Sequence, residues 1–179
     1  MRQLLRSPAV RAAIAILLLT PLRAAAQDVT ETALKAAFIY NFAKFTEWPA
    51  DVMPAGKPLL ICVLGDAAIA EALARAVKGR ALAGHVPEVS QSAPAGPKPG
   101  ACHILYLSAV TASQAATLVA ALRDAPVLTI SDVEGFTQLG GIAQFFFEGG
   151  QLRFTVNTES AKRARLLISS RLLVLAKTK

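Results

Sequence analysis

The chain has 179 residues, of which 19 are basic and 12 acidic, giving a formal net charge of +7. Four of the arginines and none of the acids lie in the first 26 residues, so the other 153 residues carry 15 basic and 12 acidic side chains, a net charge of +3. This small excess argues against a nucleic-acid-binding protein. A length of 153 residues fits one domain that buries about two-thirds of its unfolded surface.

The N-terminus has the pattern of a secretory signal peptide. Arginines precede an apolar run at residues 12–19, and Ala24 and Ala26 fit the A-x-A cleavage pattern. The run is much shorter than the roughly 20 residues that span a bilayer, so an uncleaved anchor is the lesser alternative. We predict that residues 1–26 are removed before Gln27. The mature domain, residues 27–179, is then expected in an exported compartment.

An aromatic-rich helix is the first element predicted after the signal peptide. Thr30 is suited to cap it, and Pro49 stops it near Trp48. At about 100° per residue, one arc of the helix collects apolar side chains, namely Leu34, Phe38, Phe42 and Phe45. Asn41 falls inside this stripe, where an unpaired amide costs about 1 to 3 kcal/mol. We expect a backbone partner for Asn41, with a ligand contact as the lesser alternative.

The middle of the chain alternates between strand and helix patterns. The predicted strands are 59–64, 80–83, 86–89, 103–107 and 127–130. One predicted helix follows Asp66 and ends at Gly79, a second covers 112–123, and a Pro/Gly loop covers 91–101. Strands that alternate with helices of this length predict right-handed crossovers and a largely parallel sheet.

The last third predicts a hairpin followed by two short helices. Strand patterns at 142–147 and 152–156 flank a Gly-Gly pair, which is a strong two-residue hairpin signal. Asn157 or Thr158 can cap a basic helix, ESAKRAR, and Ser169-Ser170 can cap a final helix over 171–176. The predicted fold class is therefore α/β. We expect one three-layer domain with a mixed, mostly parallel sheet flanked by helices.

Two cysteines, Cys62 and Cys102, lie in the strand-like runs LLICVLG and ACHILYLS. An oxidising compartment favours pairing an even number of thiols. If the two strands are neighbours in one sheet, the Cα atoms can approach within the roughly 4.4 to 6.8 Å that a disulfide needs. The alternatives are two free buried thiols or a redox-active pair. The redox pair is the weakest of these, because neither cysteine belongs to a C-x-x-C arrangement.

Motifs of catalysis and of metal or cofactor binding are absent from the sequence. There is no P-loop, no G-x-G-x-x-G after a strand and no H-E-x-x-H. His85 and His103 are the only histidines in the sequence. If the two cysteines are joined in a disulfide, two histidines are too few ligands for a zinc site. Ser131, Asp132 or Ser169 could join a histidine in a hydrolase, but no G-x-S-x-G elbow presents a serine. We therefore predict no catalytic residue, no metal and no cofactor.

Two carboxylates are the main candidates for ligand binding. Asp66 and Asp132 follow predicted parallel strands, and ligands of open α/β sheets bind at the carboxyl ends of strands. The alternative for each is a helix-cap or turn residue, which the pattern favours. Asn41 is a third and weaker candidate.

Candidate partner-binding residues cluster toward the C-terminus. The segment ISSRLLVLA has more apolar residues than one narrow helix stripe buries, and its candidates are Ile168, Arg171, Leu172 and Leu175. Arg163, with Lys162 and Arg165, forms a basic helix face. Glu148 and Arg153 lie beside the hairpin. The alternatives are packing of the tail onto the core and an ordinary solvated face.

Four segments together resemble the YfiR family of periplasmic proteins. They are AAFIYNFAKFTEWP, LLICVLGD, CHILYLS and the run from VLTISDVEGFTQLGG to the C-terminus, and the resemblance covers nearly all of residues 30–177. It implies a regulator without catalytic activity that is exported and forms homodimers. In the best understood case such a protein holds an inner-membrane diguanylate cyclase inactive by binding its periplasmic sensor region, which lowers cyclic di-GMP and opposes biofilm formation.

The resemblance also bears on partners and on the cysteines. Other members resemble accessory proteins of membrane sensor kinases, so a small-molecule-binding accessory protein of such a kinase is the alternative function. An outer-membrane lipoprotein is a further candidate partner. Cys62 and Cys102 match the family's strand cysteines, which implies a structural disulfide. Some relatives have a second pair near the segment FTQLGGIAQFFF, where this chain has no cysteine. A redox sensor built on a second bridge is therefore not expected.

Overall fold

The computed structural model of the protein describes residues 30–92, 98 and 101–177, so the predicted signal peptide lies outside the described residues. The helices are α1 Glu31–Lys44, α2 Ala67–Val77, α3 Ala112–Ala121, α4 Thr158–Arg163 and α5 Ser170–Leu173. The strands are β1 Thr46–Glu47, β2 Leu59–Leu64, β3 Pro87–Gln91, β4 Ile104–Leu107, β5 Leu128–Ser131, β6 Ala143–Glu148, β7 Gln151–Val156 and β8 Leu167–Ile168.

Six strands form one mixed sheet in the order β3-β2-β4-β5-β6-β7. Five of them are parallel, and β7 pairs with β6 antiparallel at the edge. The order of the parallel strands, 2-1-3-4-5 when they are counted along the chain, is a known doubly wound arrangement whose ligand crevice lies at the carboxyl ends. The predicted mixed, mostly parallel sheet is confirmed.

Helices cover both faces of this sheet, which confirms the predicted three layers. On one face α1 and α2 bury residues such as Ile39, Phe42 and Leu73 against strand residues such as Ile61 and Ile104. On the other face α3 packs over β2 and β4, and its core is smaller. Apolar burial at about 25 cal/mol per Å² holds each helix to its face.

The disulfide lies between two neighbouring parallel strands. Cys62 is in β2 and Cys102 lies two residues before the start of β4, with a Cα–Cα distance of 5.9 Å and a sequence separation of 40. Both side chains are buried in the smaller core. The predicted pairing is confirmed, and the described residues contain no free cysteine.

Helix α1 is shorter than predicted. Its cap is Thr30, whose side chain accepts a hydrogen bond from the Ala33 N–H, as expected, but the helix ends at Lys44 rather than near Trp48. Residues Thr46–Glu47 instead pair as a strand with Leu167–Ile168. The helix ends early because of a tertiary contact. In an extended conformation, the backbone N–H and C=O groups of residues 46–47 can form hydrogen bonds with the C-terminal segment, which they could not do within a helix.

The predicted apolar arc of α1 does contact the core, since Phe42 is buried and Leu34, Phe38 and Phe45 pack against it, but the centre of the buried face is shifted. The buried residues are Lys35, Ala36, Ile39, Phe42 and Ala43, whereas Asn41 is exposed. The prediction that Asn41 needs a partner inside the apolar stripe is therefore wrong. The aromatic side chains suggested one arc, but α1 lies against α2 as well as the sheet. Its small alanines permit that close packing, which rotates the buried arc away from Asn41.

The predicted strand at 80–83 is absent. Leu82 and His85 instead form an isolated antiparallel bridge around Ala83 and Gly84, which have φ values of 50° and 85°. The remaining elements match their predicted positions to within about three residues, with α5 ending at Leu173 instead of residue 176. A short segment with two left-handed residues makes a turn and cannot continue as a strand.

The predicted hairpin is confirmed. Strands β6 and β7 pair from Ala143↔Val156 to Glu148↔Gln151, and the turn residues Gly149 and Gly150 have φ values of 58° and 74°. Two left-handed residues define the type I′ turn, whose twist matches the strands.

None of the helices among residues 30–92 and 101–177 is long and apolar enough to cross a membrane.

Candidate functional site

Buried polar groups meet at the carboxyl ends of β4 and β5. Asp132 follows β5, and its Oδ2 accepts hydrogen bonds from Tyr106 Oη at 3.1 Å and Ser108 Oγ at 3.4 Å. Lys35 of α1 reaches the same oxygen, with an Nζ–Oδ2 distance of 2.6 Å. Lys35 also pairs with Glu31 at 2.7 Å, one turn earlier on the helix. One carboxylate oxygen therefore ties α1 to two strands.

The neighbouring β2 end approaches β4 closely through a glycine. Gly65 has a φ of 102°, and a Cβ built on it would lie 1.8 Å from the Ser108 carbonyl oxygen. Only glycine accommodates that approach. This contact sets the spacing of the two strand ends next to the polar cluster.

The surroundings shift the pKa values of two groups in the cluster, Lys35 and Tyr106. Burial lowers the pKa of the Lys35 ammonium, but hydrogen bonds to Asp132 and Glu31 outweigh burial, and the net shift is upward. Burial, and secondarily the Asp132 charge, raise the pKa of Tyr106 well above its ordinary value. Lys35 therefore stays charged and Tyr106 stays a hydrogen-bond donor at neutral pH.

A groove of about 490 Å³ opens beside this cluster. It lies where β6 extends past the end of β5, between the start of α1 and the chain after Ser131. Its charged residues are three carboxylates and one lysine, a net charge of −2. The lining residues are Glu31, Lys35, Asp132, Glu134, Gln144, Phe145, Phe146, Phe147 and Leu152. We call this cavity the acidic groove.

Of the three residues predicted for ligand binding, Asp132 alone lines the acidic groove. Asp66 caps α2 by accepting hydrogen bonds from the Ala68 and Ile69 N–H groups, at 2.8 and 3.4 Å. The cap role weighed for Asp66 is therefore present in the structure. Asn41 lies on the exposed side of α1.

Sequence reasoning missed the groove's other polar residues. Glu31 and Lys35 are four residues apart on a helix, a spacing that favours an ion pair, and this was the available signal. Nothing local connects that pair with Asp132, 97 residues later. Gln144 sits in a strand pattern and reads as an ordinary strand residue.

The serines and histidines considered for catalysis have structural partners. Ser131 is fully buried, donates to the Leu107 carbonyl and accepts from the Val133 N–H. Ser169 caps α5, and the Nδ1 of His85 lies 2.8 Å from the Lys57 carbonyl oxygen. Within the described ranges, no group of three or more His, Cys, Asp or Glu residues could hold a metal ion.

His103 is a buried, neutral imidazole at the amino end of β4. Its Nδ1 accepts a hydrogen bond from the Leu60 N–H at 2.9 Å, and Trp48 packs edge-on against the ring. Burial lowers the pKa of His103, the positive charges of Lys57 and His85 lower it further, and a hydrogen bond with the Val52 backbone opposes them in part.

The free energy of unfolding should therefore fall as the pH falls below about 6.5, the ordinary histidine pKa. The unfolded chain binds the proton first, because its histidine pKa is the higher one, and the loss continues down to the folded-state pKa. In His103→Asn the amide oxygen can replace Nδ1 as acceptor but does not titrate. Urea unfolding measured at several pH values between 5 and 8 gives the free energy of unfolding as a function of pH. This free energy should change less with pH in the variant, by at most about 1.4 kcal/mol per pH unit. Equal slopes would assign the proton uptake to another group.

The residues predicted for partner binding at the C-terminus divide between core and surface. Leu172 is only 4% exposed and belongs to the main core, so its role is tail packing, the alternative weighed for this segment. Ile168 is half-buried, whereas Arg171 and Leu175 are exposed. A partner can reach Arg171 and Leu175 but not the Leu172 side chain.

The charged candidates are mostly held by neighbours. Arg163 donates to Ser160 Oγ at 2.7 Å, and Glu148 pairs with Lys177 at 2.8 Å. The hydrogen bond and charge of Lys177 lower the pKa of Glu148. Arg153 of β7 is half-buried, and its Nε has no partner among the described residues. These three residues remain predictions as partner contacts.

Fold and site together define a disulfide-linked, doubly wound α/β domain with a buried ion pair and an acidic groove at the carboxyl ends of its strands. The chain belongs to the YfiR/HmsC-like family, whose model matches residues 32–177. The family is a periplasmic, regulatory one, and membership supports a general role in regulating cyclic di-GMP signalling. No curated protein matches the chain.

A solved structure shares the fold. It is the crystal structure of a conserved domain protein from Vibrio cholerae O1 biovar El Tor str. N16961, with a TM-score of 0.50 and 14% sequence identity. The match covers 83% of this chain, and the chain spans 60% of the length of that protein. At this identity the likeness shows the fold alone.

Proposed function

We propose that this protein inhibits an inner-membrane diguanylate cyclase by binding the periplasmic sensor region of that enzyme. Family membership supports the cyclic di-GMP pathway, and an exposed apolar surface supports a protein partner. Leu167, Val174 and Leu175, which flank α5, are 69%, 78% and 66% exposed. We call these three residues the C-terminal apolar set. Apolar side chains that a chain leaves exposed on one segment are typical of a protein contact.

The scaffold beneath this set is suited to binding without large rearrangement. Strand β8 is paired with β1, Leu172 anchors α5 in the core, and the Lys177 N–H donates to the Phe154 carbonyl at 2.8 Å. A segment fixed at three points loses little conformational entropy when a partner binds it.

We propose further that the protein acts as a homodimer and that an outer-membrane lipoprotein is a second partner, which could relieve the inhibition.

The direct test is complex formation with the periplasmic region of a diguanylate cyclase encoded beside this gene. Leu175→Asp should weaken that complex at least tenfold, because a charge then replaces an apolar anchor worth about 2 kcal/mol. The matched control is Val86→Asp, since Val86 is 63% exposed beside edge strand β3 and outside the C-terminal segment. Calorimetric titration of each variant measures the affinity.

Equal weakening by both variants would contradict the placement of the partner surface. A complete absence of binding to cyclase sensor regions would contradict the inhibitor function itself.

A second candidate function is a small-molecule-binding accessory protein of a membrane sensor kinase. The acidic groove favours it, because ligand sites of doubly wound sheets lie at the carboxyl ends of strands and have volumes of about 300 to 1,000 Å³. The two candidates are compatible, since a ligand bound in the groove could tune an inhibitor.

A further inference from the structure

The two edges of the six-stranded sheet differ in what covers them. At the β7 edge, the C-terminal tail is in contact with the strand, because the Lys177 N–H donates to the Phe154 carbonyl. At the β3 edge, no strand among the described residues pairs with the outer side. An open edge presents unpaired backbone groups that can pair with another chain. Strand β3 is therefore the edge at which a second chain can extend the sheet.

The hydrogen bonds to β2 determine which backbone groups of β3 point outward. The Leu59 N–H donates to the Val86 carbonyl, and the Ser92 N–H donates to the Val63 carbonyl. In the parallel register of these strands, the even-numbered residues of β3 therefore face β2. The outward backbone groups are those of Pro87, Val89 and Gln91.

These outward groups are complementary to a second copy of themselves. If two antiparallel β3 strands meet about a two-fold axis at Val89, the two Val89 residues exchange both of their hydrogen bonds. At each end, the Gln91 N–H of one copy donates to the Pro87 carbonyl of the other. This end pair needs no N–H from Pro87, which has none. The register therefore pairs the whole strand, Pro87–Gln91, with its copy.

The polar side chains of β3 fit the same register. Glu88 and Ser90 are exposed and lie on the face of the smaller core, where Ser90 Oγ is 3.7 Å from Cys62 Sγ. With the axis at Val89, Glu88 of each copy lies opposite Ser90 of the other, and the hydroxyl can donate to the carboxylate. An axis at Glu88 would instead place two carboxylates opposite each other, which is unfavourable.

Charges on α2 are complementary about this axis as well. Helix α2 packs against β3, with Glu71 nearer its start and Arg75 and Lys78 at its end. All three side chains are exposed. A two-fold axis makes the two α2 helices antiparallel, so Glu71 of one copy lies on the side of Arg75 and Lys78 of the other. Opposite charges then meet across the contact, which favours this orientation.

A mostly apolar groove of about 430 Å³ adjoins the start of β3. Val77, Val86, Pro87 and Val89 contribute to its apolar lining, and Val86 is 63% exposed. In the antiparallel arrangement, this groove faces Gln91 and the start of α2 of the second copy. Dimerisation therefore removes apolar surface from water in addition to pairing the strands.

We propose that β3 is the dimer interface, at which two copies of this chain join their sheets antiparallel about a two-fold axis at Val89. The inference deepens the proposed function, on which it rests, by naming the surface of the homodimer. The tail that follows Val174 and Leu175 contacts β7, the opposite edge of the sheet. Both copies therefore keep the C-terminal apolar set available to the cyclase.

The test is sedimentation velocity of the mature, disulfide-bonded protein over a wide concentration range. We expect a monomer–dimer equilibrium with a Kd of about 1 to 100 μM, because one short strand and one helix face make an interface at the small end of the usual range. Thermal unfolding of each variant below checks that it folds.

Three variants test the edge and its register. Ser90→Glu should weaken dimerisation about five- to thirtyfold, because two pairs of like charges then lie opposite each other. The double variant Glu88→Lys, Ser90→Glu should recover, because each pair becomes one of opposite charges. Gln91→Pro should weaken dimerisation about tenfold or more, since it removes the donor at both ends of the contact. The Gln91 N–H has no role in the β2 pairing, so the monomer should fold.

Ser113→Glu is the matched control. It adds the same charge to an exposed serine of α3, away from the β3 edge, and should dimerise normally. The proposal is overturned if the protein stays monomeric up to about ten times the upper expected Kd. It is also overturned if Ser90→Glu and Gln91→Pro dimerise as tightly as Ser113→Glu. A double variant as weak as Ser90→Glu would exclude the axis at Val89.

The cyclase complex is a separate measurement. Ser90→Glu should bind the cyclase sensor region with unchanged affinity per protomer, because the C-terminal apolar set is intact. Calorimetric titration reports that affinity, so Val86→Asp keeps its use as a control for Leu175→Asp. A monomeric protein that still binds the cyclase would overturn the β3 interface alone, whereas a dimer that does not bind would overturn the inhibitor function alone.

Discussion

The double variant Cys62→Ala, Cys102→Ala should lose about 3 to 4 kcal/mol of unfolding free energy. The bridge spans 40 residues that include α2, β3 and the loop before β4, and it limits the freedom of the unfolded chain over this whole segment. The strands it joins are adjacent and parallel, so the folded state needs no rearrangement to form it. For a domain of this size the Tm should drop by roughly 10 °C.

Arg163→Ala is the comparison variant for the disulfide. Arg163 is exposed and donates a hydrogen bond to Ser160 within the same short helix, so its removal should change stability by no more than about 0.5 kcal/mol. Urea unfolding of both variants, with and without a reducing agent, measures the difference. If the two variants unfold at the same urea concentration, the bridge contributes nothing to stability.

Asp132→Asn should cost about 2 kcal/mol. The change removes one of the two carboxylates that pair with Lys35 among the described residues, and the Lys35 side chain is only 11% exposed. Breaking a fully buried ion pair costs about 3 to 5 kcal/mol, and we take a smaller value because Asp132 is partly exposed. Urea unfolding at pH 7 measures the loss.

The matched control for this variant is Asp51→Asn. Asp51 pairs with Arg165 at 3.1 Å, but both side chains are more than half exposed, so less than about 1 kcal/mol should be lost. In the double variant Lys35→Met, Asp132→Leu the charges disappear together, and stability should recover in part. A double variant less stable than Asp132→Asn would show that the cluster stabilises the fold through more than the balance of its charges.

Local patterns were enough to predict most of the fold. The Gly-Gly pair predicted the hairpin, the apolar run at residues 59–64 predicted β2, and the alternation of strand and helix patterns predicted the parallel sheet. Each of these signals acts within a few residues, which is the range over which patterns are informative. The disulfide followed from two strand cysteines that could be neighbours in one sheet.

The acidic groove could not be predicted because its parts meet only in the folded chain. Lys35 is buried, which is rare for lysine, and its partner Asp132 follows a strand 97 residues later in the sequence. The exposed position of Asn41 was missed for a related reason. The packing of α1 against α2 rotates the helix, and no periodicity within α1 contains that information.

The pairing of β1 with β8 determines when the C-terminal apolar set can form during folding. Thr46 and Ile168 are 122 positions apart, yet their strands form a separate two-stranded sheet. Chains emerge N-terminus first, so β1 must wait for the last residues before it gains a partner. Leu167, Val174 and Leu175 therefore take up their places only when the domain is complete. Under the proposed function, a molecule cut before residue 167 would lack these three side chains and would not bind the cyclase.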